Sequence, residues 1–327
     1  MKSIVIEKRF CGPPNSANGG YVCGLLAAHI AGSAEVTLLA PPPLDRRLDI
    51  VTLEGGVELR KNATTLATGR RAEVDIPEIP IVDFAEAQEA VHRTPYDASR
   101  HPLPRCFVCG PERVDGDGLH IIPVPLSART NSKVGSFVAP WVPHANLAGE
   151  GGAIASEFVW AALDCPTGFA GVGARHLGMT GAETMLLGRM RARIERRPRP
   201  DDRCIIVAWP IGRDGRKLFA SSALLSAAGE PLAVAQATWI LVDRRGQLGD
   251  GAGCLGPTPS RPLGDSRLHR RLQPFRPFRA CGTRSRQAHD PHDAASLIFR
   301  TREFGATVPP GRLNVRSPQR CHFINRR

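Results

Sequence analysis

The apolar positions of this chain change period twice, in the same order each time. "NGGYVCGLLAAHIAG" (18–32) is apolar nearly all round and opens on a Gly pair, which predicts a buried helix from Gly20 to Gly32. Alternating and β-rich runs follow in "AEVTLLAPPPLDRRLDIVTLEGGVELR" and "TTLATGRRAEVDI". A second apolar helical stretch, "EGGAIASEFVWAALDCPTGFA" (150–170), also opens on a Gly pair. It too precedes strand-like runs: "TMLLGRMRARIERRPRPDDRCIIVAWPIG", "RKLFASSALLSAAGE" and "PLAVAQATWILVD". Each half has a Pro-rich corner before a strand, "PPPLDRRLDIV" against "RPRPDDRCIIV". The chain therefore repeats itself at a spacing of about 130 residues.

One helix followed by a long run of strands requires an antiparallel sheet with a single helix to cover it. The economical solution is an α+β layer in which each sheet curves around its helix. The boundaries predicted are residues 1–100 for the first half with its linker, 101–249 for the second half, and 250–327 for a tail. The linker, "PEIPIVDFAEAQEAVHRTPYDASRHPLPR", is Pro-rich at both ends and carries a short helical pattern.

Charge changes this picture only at the end of the chain. Of the 327 residues, 43 are Lys or Arg and 31 are Asp or Glu, a formal net charge of +12. Residues 251–327 hold 15 Arg, no Lys and 4 acids, leaving 28 basic and 27 acidic residues in the body. A nearly neutral body gives no reason to expect a nucleic-acid partner. The Arg-rich tail, broken by Pro and Gly, has the composition of a disordered segment. No apolar run approaches the roughly 20 residues that span a bilayer, and the start "MKSIVIEKRFCGPP" lacks a secretory pattern, so a cytoplasmic protein is expected. Nine cysteines in such a chain are then expected as reduced thiols.

Cys106-Phe-Val-Cys109-Gly110 can be half of a zinc site, a redox pair, or a turn that packs two small thiols. Zinc wants four ligands, and the other body cysteines, Cys11, Cys23, Cys165 and Cys204, are scattered singly. The spacing favours the structural turn, with no metal and no cofactor expected.

The Gly-Gly helix, the corner before the long strand and the repeat resemble the hotdog fold in its tandem, or double-hotdog, form. The second half is similar to acyl-CoA thioesterases of the phenylacetate type, in which "CFVCG…GL" precedes the first strand, as Cys106 to Gly110 precede Gly118-Leu119 here. The resemblance implies a thioester hydrolase acting on acyl-CoA or another acyl thioester, with a homodimer of double hotdogs as an assembly.

Thioester hydrolysis needs donors for the oxyanion, a carboxylate and a dry slot for the acyl group. The two Gly pairs are the candidate donors: Asn18-Gly19-Gly20, and Glu150-Gly151-Gly152 with Gly152 nearest the helix. The first helix has no carboxylate, whereas the second has Glu157 and Asp164, seven residues apart and so near one face. "LDCPTGFA" around Asp164 resembles the thioesterase pattern. The complete pairing predicted joins Gly19 and Gly20 of one half to Asp164 or Glu157 of the other, giving one site per chain. His144 and Asn146, in the loop before the second helix, are candidate substrate contacts. Two alternatives remain: a non-catalytic acyl-CoA-binding hotdog, and a hydratase or dehydratase using Asp115 and His120.

Overall fold

The computed structural model describes residues 2–75, 78–126, 135–172 and 183–243. The expectations for residues 250–327 lie outside them. The first half consists of strand β1 (Lys2–Val5), helix α1 (Gly19–Ala27), and strands β2 (Ala34–Leu38), β3 (Arg47–Leu53), β4 (Gly56–Lys61) and β5 (Thr64–Arg71). The linker forms helix α2 (Phe84–Arg93). The second half contributes β6 (Val124–Pro125), β7 (Phe137–Trp141), helix α3 (Ser156–Val172), β8 (Glu183–Ile194), β9 (Cys204–Asp214), β10 (Lys217–Ser226) and β11 (Pro231–Asp243).

The strands form one antiparallel sheet in the order β1-β3-β4-β5-β2-β8-β11-β10-β9-β7-β6. This corrects the expectation of two separate sheets. The strand after each helix, β2 or β8, ends its own half of the sheet, and these two edges pair with each other in the register Ala34 to Ala192 through Thr37 to Arg189. Sharing hydrogen bonds leaves no open ladder at the junction. Counted inward from the outer edges, the order is β1-β3-β4-β5-β2 on one side and β7-β9-β10-β11-β8 on the other, with β6 added outside. The same connectivity is thus laid down twice.

Side-chain alternation places the cores. Along β9, Cys204, Ile206 and Ala208 enter the main core shared with α1 and α3. Ile205, Val207 and Trp209 face the other way, into a smaller core with Ala87 and Ala90 of α2. The linker helix thus covers the outer face of the second half, and Asp83 caps it by accepting from the Glu86 amide at 2.8 Å. In the first half, β3 and β4 bury alternate residues, Leu48, Ile50, Val57 and Leu59, and leave their other face partly open.

One helix end and one helix start differ from the pattern. Helix α1 stops at Ala27, where the amides of His29 and Ile30 bond Leu26 and Ala27 in a tightened last turn before Gly32, at φ 79°. His29 is exposed beyond it. Helix α3 begins at Ser156, not at its Gly pair: Glu150–Gly152 is a separate 3₁₀ turn in which Gly151 and Gly152 have φ of 77° and 72°. Those glycines serve a left-handed corner that other residues rarely adopt.

Candidate active site

Helices α1 and α3 cross at close range because α1 presents glycine to α3. A Cβ at Gly20 would overlap the Asp164 side chain and the Trp160 carbonyl, and one at Gly24 would overlap the Glu157 backbone. The approach brings the N-terminus of α1 onto the middle of α3. Asn18 caps α1, its Oδ1 accepting from the Tyr21 amide at 2.9 Å. Its Nδ2 donates to Asp164 Oδ2 at 3.0 Å, and the Gly20 amide donates to the same oxygen at 2.9 Å. The other carboxylate oxygen, Asp164 Oδ1, is buried without a partner among the described residues.

Asp164 is 1% exposed. Burial pushes its carboxyl up to about 7, against the opposing pull of the Gly20 amide; nearby Cys106 raises it further and Asn18 lowers it. A buried carboxylate with one oxygen anchored and one free is arranged to take or give a proton at neutral pH.

Around Asp164, side chains add hydrogen bonds to the backbone carbonyls of α3, the helix that contains Pro166. The Thr167 hydroxyl donates to the Asp164 carbonyl at 2.6 Å and itself accepts from Trp239 Nε1 at 2.8 Å. Ser222 of β10 donates to the Leu163 carbonyl at 2.8 Å. These three residues were not singled out from the sequence. Pro166 is no signal for them, since the carbonyl it leaves without an amide donor is that of Ala162, four residues earlier.

The carboxylate lines a cleft of about 260 Å³, whose walls include Leu38, Pro42, Leu103, Met185, Leu187 and Trp239. Asn18, Gly19, Cys106 and Cys165 line it together with Asp164. Among the described residues the Gly19 amide, the first of α1, has no hydrogen-bond partner.

Of the residues singled out from the sequence, the structure brings together Asn18, Gly19, Gly20 and Asp164. Gly20 lies there with its amide already committed to the carboxylate. Glu157 sits two turns away on α3, beside Gly24 and outside the cleft. Gly152, His144 and Asn146 lie elsewhere: Gly152 is exposed near Arg199, and the Asn146 amide donates to the Gly116 carbonyl at 2.6 Å, with the His144 ring 3.6 Å from where a Gly116 Cβ would stand. His120 bonds the Val114 carbonyl at 3.0 Å in an exposed loop, so the Asp115 and His120 pair is not at the cleft either.

No family model matches the chain, and no curated protein matches it. Solved structures that resemble it include an acyl-CoA thioesterase II, TesB2, from Mycobacterium marinum, at 12% identity over 75% of this chain and 93% of that one, TM-score 0.49. A hot dog fold protein of unknown function from Alicyclobacillus acidocaldarius aligns at 13% identity over 73% and 92%, TM-score 0.47. A tesB protein of Mycobacterium avium subsp. paratuberculosis aligns at 12% identity over 69% and 87%, TM-score 0.44. Likeness at that level carries no weight for the chemistry, which rests on the side chains described above. Among the described residues no helix is long and apolar enough to cross a membrane.

Proposed function

We propose that the chain is a tandem hotdog, with halves at 1–100 and 101–249, that hydrolyses an acyl thioester such as an acyl-CoA in the cleft between α1 and α3. The observation that carries this is Asp164: a fully buried carboxylate, tethered through one oxygen by the opposite half, in the lining of a largely apolar cleft. The acyl chain lies along Leu38, Leu187 and Trp239, where apolar surface leaves water. Asp164 accepts a proton from a water molecule as its oxygen attacks the thioester carbonyl. The developing oxyanion is met by the Gly19 amide at the positive end of α1. The carbon–sulfur bond then breaks, and the proton passes from Asp164 to the leaving thiolate. One site per chain follows, because α1 carries no carboxylate with which to build a second.

The test is thiol release from a panel of acyl-CoA substrates by the full chain and by Asp164→Asn. Turnover is expected to fall roughly two to four orders of magnitude in the variant with KM nearly unchanged, since general-base losses appear in the transition state. Equal turnover in both proteins rejects Asp164 as the base. Acyl-CoA binding with no thiol release from any chain length assigns the cleft to binding alone.

A further inference from the structure

Folding brings Cys165 of α3 to the Cys106-x-x-Cys109 turn, although it lies 59 residues along the chain from Cys106. The three sulfurs all lie within 4.8 Å of one another, and all three residues are buried. We propose that Cys106, Cys109 and Cys165 bind one zinc ion through three thiolates, with a solvent molecule in the fourth position, and that this ion fastens the lead-in of the second half to α3.

Three features point to a metal. The Cys106 and Cys165 sulfurs are 3.7 Å apart. Tetrahedral zinc with Zn–S bonds of about 2.3 Å separates its sulfurs by about 3.8 Å, whereas a disulfide requires about 2.05 Å. The turn is shaped so that both of its thiols face one point: the Gly110 amide donates to the Cys106 carbonyl at 2.9 Å, and a Cβ at Gly110 would stand within 2.6 Å of the Cys106 backbone nitrogen. Finally, His101 adjoins the same small cavity as Cys109 and Cys165, and its Nε2 is buried without a partner among the described residues. Its Nδ1 accepts from the Leu103 amide at 3.0 Å, which places the ring proton on Nε2. His101 therefore serves as an outer donor toward the thiolates or the bound solvent, and not as a ligand.

On binding, three S–Zn bonds form and the protons still held by the thiols leave to solvent, with no change of oxidation state. The sequence pattern predicted no metal because Cys-x-x-Cys had no second pair. The structure supplies a third thiol from a helix that sequence spacing does not associate with the turn.

The experiment measures metal in the full chain purified under reducing conditions without chelator. Close to one zinc per chain is expected, and replacement by cobalt(II) should give the thiolate-to-cobalt charge-transfer absorption of a tetrahedral site. Cys109→Ser, which leaves the acyl cleft lining intact, should retain less than about a tenth of the metal. If that variant does not fold, wild type stripped with a chelator and refilled decides the matter: zinc should shield three thiols from a thiol reagent. Asp164→Asn should hold zinc as wild type does, which separates this site from the proposed hydrolysis. Failure of stripped wild type to take up zinc or cobalt, thiols equally reactive with and without zinc, loss of zinc in Asp164→Asn, or a Cys106–Cys165 disulfide in the reduced-purified protein would each overturn the proposal.

Discussion

Helices α1 and α3 occupy equivalent places in the two halves, each preceding the strand that joins the common seam, yet their contents are opposite. Helix α1 is short, uncharged and rich in glycine, and it gives the site donors: the Asn18 amide, the Gly20 amide and the free Gly19 amide. Helix α3 is longer, carries bulky side chains and gives the site an acceptor, Asp164. The difference shows what a repeated chain gains over a symmetric pair. Two carboxylates facing each other across the crossing would repel, and two glycine faces would leave no base. Unequal halves let one helix make room for the other.

The comparison breaks most severely at Gly20. Gly20→Ala forces a methyl group into Asp164 and the Trp160 carbonyl, neither of which can swing away, and is expected to cost about 3 kcal/mol or more in chemical denaturation. Unchanged stability would show that the helices can part. Asn18→Asp erases the asymmetry chemically, placing a second carboxylate about 3 Å from Asp164 Oδ2 in a buried site. A loss of about 3 kcal/mol at neutral pH, recovered in acid where one carboxyl holds a proton, is expected from the same measurement.

Asp164→Asn sharpens the contrast from the other side. Its amide oxygen can still accept from Asn18 and Gly20 while the cost of burying a charge disappears, so the variant that loses turnover should melt higher, by about 1–2 kcal/mol in stability. Glu157→Gln tests whether the carboxylate role belongs to one position of α3. It lies outside the cleft, and turnover should stay within about threefold of wild type. The smallest effect is expected at Glu35, which accepts from Arg70 of β5 at 2.9 Å beside the seam. With Arg70 largely exposed, Glu35→Gln should cost less than about 1 kcal/mol.

Much of this was legible in the chain. The repeat, the two buried helices, the linker helix and the pairing of Gly19 and Gly20 with an acid of the second helix, Asp164 or Glu157, all follow from apolar periodicity and from which helix carries an acid. What remained hidden depended on distance. The Gly151-Gly152 pair resembles Gly19-Gly20 in sequence, but its positive φ angles belong to a corner four residues ahead of α3, and local composition does not distinguish the two uses. Glu157 shares a face with Asp164, yet only the crossing point with α1 decides which acid meets the cleft. The union of the two sheets and the meeting of Cys165 with Cys106 join residues that no local pattern connects.

The β2–β8 seam also governs how the molecule must assemble over time. Thr37 and Arg189, facing each other across it, are 152 residues apart, so the pairing requires closure of a very long loop. Contacts of that kind form slowly. A chain whose halves have each collapsed still displays two unpaired edges, one on β2 and one on β8, and each is as ready to pair with another molecule as with its own partner. Yield on refolding should therefore fall with rising protein concentration, since the junction that unites the finished sheet is also where neighbouring chains compete during folding.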